Sequence, residues 1–158
     1  MMENANFVIR IYGLFINEKD EILLTDEFQL NSMMTKFPGG GLEYGEGTID
    51  CLKREIGEEC NNQQIQNIRH FYTTDFFQKA LFYENRQIIS IYYLADFINP
   101  LTFRISEKPF DFDIKKGENQ SFRWQKIDDL KEEDLTFAID KFVFGLLRKQ
   151  LEKKPLHL

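Results

Sequence analysis

The fold of this chain is decided by residues 39–62, GGGLEYGEGTIDCLKREIGEECNN. Four apolar residues in this segment recur at spacings of three and four, the pattern of one buried helical stripe: Ile49, Leu52, Ile56 and Cys60. We therefore expect a helix over residues 47–60. The glycines at 39–41 permit backbone conformations that are closed to other residues, so we expect a loop before the helix.

Three acidic residues share one side of this predicted helix. Glu55, Glu58 and Glu59 are spaced i, i+3 and i+4, and their mean direction lies roughly 110° from that of the apolar stripe. We therefore place them along the margin of the packed face. Their carboxylates repel one another unless a cation neutralises them, and Mg²⁺ or Mn²⁺ suits such oxygen ligands best. A solvated helix face is the alternative for an acidic triplet without context.

The residues around the triplet favour a metal site. Arg54 directly precedes the first acid, so it can pair with a glutamate and fix the orientation of the carboxylate. Glu46 lies one turn before the helix. The glycines at 39–41 would let a backbone carbonyl approach the metal closely enough to join its coordination shell.

A known motif contains these residues at the same spacing. The Nudix box has the pattern G-x5-E-x7-R-E-U-x-E-E-x-G-U, with U a bulky aliphatic residue, and residues 40–62 match it at seven positions: Gly40, Glu46, Arg54, Glu55, Ile56, Glu58 and Glu59. The chain resembles a Nudix hydrolase. Asn61 and Asn62 replace the final Gly and aliphatic residue. Because asparagine tolerates the left-handed conformation, we expect an altered helix exit with the metal site intact.

The resemblance implies a fold and an activity. The fold is an α+β Nudix-type α/β/α sandwich with a mixed β-sheet, which we expect to be a single domain over residues 1–158. The activity is hydrolysis of the pyrophosphate bond in a nucleoside diphosphate linked to another moiety, with Mg²⁺ as the usual cofactor. Such substrates are small nucleotides or nucleotide sugars. A homodimer formed by strand exchange or edge pairing is compatible with the resemblance.

The resemblance also implies roles for individual residues. By motif position, metal would be held by Glu55, Glu58, Glu59 and the carbonyl oxygen of Gly39, while Arg54 would orient Glu55. The general base stays open, because family members differ. It is either Glu55 or an acid outside the box, for which Glu118 is the candidate. No substrate-binding residue is singled out.

Composition excludes other classes of partner. The formal charge of −6 and pI near 5.0 argue against binding a nucleic-acid polymer, whose phosphates would be repelled. No apolar run reaches the roughly 18 residues of a membrane helix, and the N-terminus lacks a signal pattern. We therefore expect a cytoplasmic protein that does not bind membranes.

The rest of the chain predicts strands around the glutamate helix. Residues 7–16 and 21–25 are expected to form a hairpin, and residues 65–77, 87–97 and 122–127 further strands. Residues 99–121 should be an irregular segment that contacts ligand, and a last helix should run from residue 136 to about residue 153.

Two competing classes of function remain. One is a catalytically silent Nudix-like nucleotide sensor, which would bind without turnover. The other is a structural interaction domain, which would leave the glutamates without a role.

Overall fold

The computed structural model describes residues 6–153. Its strands and helices follow in the order β1 (Asn6–Phe15), β2 (Glu21–Gln29), β3 (Ser32–Lys36), β4 (Gly39–Gly41), α1 (Thr48–Glu59), β5 (Ile65–Thr73), β6 (Arg86–Phe97), β7 (Gln120–Lys126) and α2 (Ala138–Lys153). The α+β class with mixed β-structure is confirmed. The segment between β6 and β7 is irregular, as expected, apart from a 3₁₀ turn at Ile114–Lys116.

The chain divides into two compact units. The first contains Gly39–Thr102 and the segment that ends at Leu14, and the second contains Phe15–Pro38 and the segment that starts at Phe103. The first unit has a four-stranded sheet in the order β4-β1-β6-β5, and the second has a three-stranded sheet in the order β3-β2-β7. That residues 1–158 form a single domain stays a prediction.

The expected hairpin of β1 and β2 is wrong apart from one bridge. Ile16 pairs with Ile22 in an isolated bridge beside the turn, whereas β1 has β4 and β6 as its sheet neighbours. Both hydrogen-bonding edges of β1 are thereby taken, so β2 pairs with β3 and β7 instead.

The glycines that were expected to form a loop are a strand. Gly39, Gly40 and Gly41 pair antiparallel with Tyr12, Ile11 and Arg10 of β1. Helix α1 packs against this strand, which has no side chains to hold the helix away. The backbone of β4 and the side chains of α1 therefore meet directly.

The buried face of α1 differs in part from the predicted stripe. Leu52, Ile56 and Cys60 are buried as predicted, but Ile49 is 41% exposed and the prediction for it is wrong. Cys51 is buried in its place because α1 packs on the glycine strand, where the Cys51 thiol lies 3.5 Å from the carbonyl oxygen of Gly41.

The end of α1 has the conformation expected from its asparagines. Asn61 and Asn62 have φ of 50° and 59°, both in the left-handed region. The Asn61 side chain donates to the carbonyl of Thr102 at 2.7 Å, and the Thr102 hydroxyl donates to the carbonyl of Cys60 at 3.0 Å. The departure from the box is thus accommodated by hydrogen bonds to the chain beyond β6.

The sheet of the second unit contains a buried ion pair that the sequence pattern did not predict. Asp26 on β2 is fully buried and accepts from Arg123 Nε on β7 at 2.7 Å. The Thr35 hydroxyl on β3 donates to its other oxygen at 2.7 Å. One carboxylate therefore joins all three strands of this sheet. In the described part of the chain, no helix is long and apolar enough to cross a membrane.

Gly57→Ala should stabilise the protein. Gly57 is helical, and a Cβ added there would have no atom within 4 Å, so we expect a gain of roughly 0.5 to 1 kcal/mol in the free energy of unfolding. Gly45→Ala is the matched control. It also faces open space, but its φ of 96° is unfavourable for alanine, so unfolding in urea should show a loss. Equal effects of the two substitutions would contradict this explanation.

Candidate active site

The Glu55 side chain lies directly on the glycine strand. A Cβ built on Gly40 would overlap the Glu55 carboxyl group. Any residue other than glycine would therefore displace the carboxylate or push α1 away from β4. Glu55 is thereby confined against backbone, with its side chain only 15% exposed.

Gly39 must also be glycine, for a different reason from Gly40. Its φ is 146°, and a Cβ there would overlap the carbonyl oxygen of Ile11 on β1. This close approach belongs to the antiparallel pairing of β4 with β1. The carbonyl of Gly39, the predicted metal ligand, is therefore at a buried position where only glycine fits.

Arg54 joins the acidic residues of the site to one another. Its Nε donates to Glu46 Oε2 at 2.9 Å and its Nη2 donates to Glu46 Oε1 at 2.7 Å, so the ion pair is bidentate. Its Nη1 lies 3.1 Å from Glu55 Oε1 and 3.3 Å from Glu58 Oε2. Its Nη2 also donates to the carbonyl of Gly41 at 3.0 Å. As predicted, the arginine contacts Glu55, but its shortest bonds go to Glu46.

The Glu46–Arg54 pair changes the acidity of both groups. The hydrogen bond from Arg54 lowers the pKa of Glu46 from 4.5 to about 2, with a smaller contribution from the backbone N–H of Glu43. The same pair raises the pKa of Arg54 above its ordinary value. Both residues therefore remain charged at neutral pH, and Arg54 stays a fixed cation among the acids.

The three predicted metal-binding glutamates differ in exposure. The Glu58 side chain is 61% exposed, whereas Glu55 and Glu59 are half-buried and one oxygen of Glu59 is buried. At 100° per residue, Glu55 and Glu59 point between Cys51 and Leu52, which are both buried. Glu55 and Glu59 are therefore more buried than Glu58, because the buried face extends to the Cys51 side of the helix.

The donor atoms of this helix suit a hard divalent cation. Carboxylates project from successive turns of α1 beside a strand whose own residues have no side chains, and oxygen ligands are those that Mg²⁺ and Mn²⁺ prefer. In the arrangement described for residues 6–153, no three His, Cys, Asp or Glu side chains converge to hold a metal. Arg54 contacts both Glu55 and Glu58 in this arrangement.

The two cysteines are structural. Burial, with a smaller contribution from Glu46, raises the pKa of the Cys51 thiol from 9.0 to about 12. Burial, with a contribution from Glu59, raises the pKa of Cys60 to about 12. Both thiols stay protonated at neutral pH in this arrangement, so neither is a reactive thiolate.

Glu118 lies in the second compact unit, before β7. Its carboxylate accepts a hydrogen bond from the backbone N–H of Asp113 at 2.7 Å, across the 3₁₀ turn. The role of Glu118 as general base stays a prediction.

Comparison with known proteins identifies the family. A family model described as the NUDIX domain matches residues 7–146. The chain belongs to the Nudix family. The match extends far beyond the box at residues 40–62 and runs through both compact units. A comparison with curated proteins finds no match.

Solved structures agree on the Nudix fold. The chain resembles the Escherichia coli ORF135 protein with a TM-score of 0.70 and 15% identity, over 99% of both chains. It resembles a MutT protein from Methanosarcina mazei with a TM-score of 0.64 and 17% identity, over 96% of this Nudix chain and 99% of that chain. It resembles a Nudix hydrolase from Nitrosomonas europaea with a TM-score of 0.66 and 14% identity, over 90% of this chain and 88% of that chain.

Membership of the family gives the general activity. The chain is a Nudix pyrophosphohydrolase, an enzyme of the class that acts on nucleoside diphosphate derivatives. Nudix hydrolases as a class use divalent metal ions.

Gly40→Ala should reduce turnover by more than any loss of folded protein accounts for. The added Cβ displaces the Glu55 carboxylate, and a shift of about 1 Å in a catalytic group can lower the rate on the order of 100-fold. Steady-state kinetics on folded protein would measure this loss. Gly145→Ala in α2 is the control, since its Cβ would make only an ordinary contact with Glu132 at 3.5 Å. Wild-type turnover in Gly40→Ala would contradict the role of this contact.

The Glu46–Arg54 pair should make stability depend on acid pH. The folded pKa of Glu46 is lowered from 4.5 to about 2, so the pair stabilises the fold fully above pH 4.5 and loses this effect as pH falls toward 2. The difference in unfolding free energy between wild type and Glu46→Gln should therefore shrink over that range. Chemical denaturation at several pH values measures it, and a difference independent of pH would refute the assignment.

Proposed function

We propose that this Nudix enzyme hydrolyses the pyrophosphate bond of a small nucleotide or nucleotide sugar in a reaction that depends on Mg²⁺ or Mn²⁺. The observation that supports this is the Glu55 carboxylate, which is seated on Gly40 and held by Arg54 at 3.1 Å. A solvated acidic face would not need a glycine beneath it or an arginine beside it. The geometry therefore favours a site over a surface.

The residues that would hold metal are three glutamates of the box and the glycine that precedes it. We propose Glu55, Glu58, Glu59 and the carbonyl oxygen of Gly39 as ligands. A bound divalent cation would supply neutralisation of the diphosphate and a lowered pKa for a water molecule. Arg54 contacts Glu55 and Glu58 of this set and makes its two shortest bonds to Glu46, which is outside it.

The chemistry that follows uses a carboxylate as base. The base takes a proton from a water molecule while the water oxygen bonds to phosphorus. The bond from phosphorus to the bridging oxygen breaks on the opposite side. The leaving group departs as a phosphate ester. Glu55 is the first candidate because Arg54 fixes its orientation, and Glu118 is the second. Glu55→Gln and Glu118→Gln would separate them by their kcat values at saturating metal.

Several broader properties belong to the same proposal. We propose that residues 1–158 form one Nudix domain, which the match over residues 7–146 supports. We further propose that it acts in the cytoplasm on small nucleotides and neither on nucleic-acid polymers nor at membranes. The charge of −6 supports the choice of small substrates neutralised by metal. Homodimer formation is a further proposal, which light scattering would test.

Glu59→Gln should abolish metal-dependent hydrolysis and leave the fold intact. The substitution removes a charge from the proposed metal site while keeping the shape of the side chain. Phosphate release with Mg²⁺ should be measured over dNTPs, ADP-ribose, dinucleoside polyphosphates and nucleotide sugars. Glu84→Gln, an exposed acid between β5 and β6, is the matched control and should retain wild-type turnover.

The same panel tests the competing functions. Unchanged turnover in Glu59→Gln would refute the assignment of the site. Nucleotide binding by the wild type without turnover would instead identify a silent sensor, and absence of Mg²⁺ binding by calorimetry would identify a structural domain.

A further inference from the structure

Five large apolar side chains are exposed at one end of the sheet of the first unit. They lie at the start of β1 and in the hairpin that connects β5 to β6, and their exposure runs from 39% to 72%: Phe7, Phe77, Leu81, Phe82 and Tyr83. We call these five residues the apolar surface. A single exposed apolar side chain is ordinary, but a group of them at one end of a sheet is typical of a contact with another molecule.

Backbone contacts bring the start of β1 to the turn of the hairpin. An isolated bridge between Lys79 and Gln87 closes the hairpin before its turn. The backbone N–H of Asn6 donates to the carbonyl of Asn85, within that turn, at 3.1 Å. Phe7 therefore lies at the same end of the sheet as the other members of the apolar surface.

The exposed area of the apolar surface is large enough for a dimer. An aromatic side chain has about 150 to 250 Å² of surface, so at these exposures the five residues present roughly 500 to 600 Å². This is the upper end of the range of about 300 to 600 Å² for the largest apolar patch of a typical monomer. Two copies packed through it would cover roughly 1,000 to 1,200 Å² from these side chains alone, which reaches the size of a specific interface.

The charges of the hairpin favour a second copy of the chain as the partner. Residues 74–86 contain two acids, Asp75 and Glu84, and two bases, Lys79 and Arg86, and all four are exposed. A symmetric dimer brings this surface together with itself, so each sign can meet the other across the two-fold axis. An anionic membrane or a nucleic acid would require an excess of positive charge, whereas the hairpin is balanced and the chain has a charge of −6.

Strand β5, at the edge of the sheet beside this hairpin, is poorly suited to pairing with a strand of another molecule. Its register with β6 shifts between Gln66 and Arg69 and again between His70 and Tyr72. Asn67 has a φ of 53° within it. Irregularities of this kind protect edge strands from pairing. Packing of side chains from the hairpin therefore suits this chain better than edge pairing through β5.

We propose that two copies of the chain associate through the apolar surface, formed by the β5–β6 hairpin and the start of β1. The inference goes beyond the proposed hydrolysis and assigns a specific surface to the proposed homodimer. The five apolar side chains form the centre of the contact and the charged residues of the hairpin form its rim. None of the proposed metal ligands or candidate bases belongs to the apolar surface.

Sedimentation velocity over a range of concentrations tests the association of the full chain. The wild type should change from monomer to dimer at micromolar concentrations or below. Leu81→Glu should raise the dimer Kd on the order of 100-fold, because a symmetric interface contains the substituted residue twice and the change places charge in an apolar contact. Leu30→Glu, between β2 and β3, is the matched control, since Leu30 is 61% exposed against 66% for Leu81. This variant should dimerise like the wild type.

Hydroxyl-radical footprinting locates the contact, because it oxidises exposed aromatic and leucine side chains. Oxidation of Phe77 and Tyr83 should fall as the wild type dimerises, while oxidation of Leu30 should stay the same. Thermal unfolding checks that each variant is folded.

The outcomes decide this inference independently of the proposed function. A wild type that stays monomeric at every concentration, or a dimer whose Kd is unchanged in Leu81→Glu, would overturn the contact. Protection of the apolar surface by neutral lipid vesicles or by nucleotide in a monomeric chain would also overturn it. A dimer that is sensitive to Leu81→Glu in a chain that hydrolyses nothing in the substrate panel would support the contact and overturn the proposed function.

Discussion

The close packing of the Glu55 carboxyl group against Gly40 is the constraint on which the rest of the site depends. No side chain fits between the two, so α1 can lie on β4 only because residue 40 is glycine. Once the helix is at that distance, Arg54 reaches the carbonyl of Gly41 and Cys51 packs against the same group. Helix, edge strand and the acid at position 46 are thus joined by short-range contacts rather than by an apolar core alone.

In both compact units, carboxylates are paired with an arginine. In the first, the Arg54 guanidinium contacts several carboxylates of the box, and its shortest ion pair is with Glu46. In the second, the buried Asp26 pairs with Arg123 and also accepts from Thr35. Buried charges are costly unless each is paired and hydrogen-bonded, and Asp26 meets both conditions.

The chain shares the Nudix fold with solved structures at low sequence identity. The solved structures named above share only 14 to 17% identity with this chain. The contacts that shape the site need glycine at two positions, an arginine and acids at fixed spacing, whereas the packed apolar positions accept many residues of similar volume. Asn61 and Asn62 depart from the box without loss of the turn, because asparagine adopts the left-handed backbone conformation found there.

The sequence by itself determined the helix α1, its left-handed exit, most of the strands and the family, because these depend on local periodicity and on spacing within one segment. The placement of side chains depended on tertiary structure. Ile49 became exposed and Glu55 and Glu59 partly buried because the helix meets a strand without side chains, a fact that periodicity does not contain. The partners of β1 and the pairing of Asp26 with Arg123 were decided by strand order, since residues 97 positions apart carry no local signal of their contact.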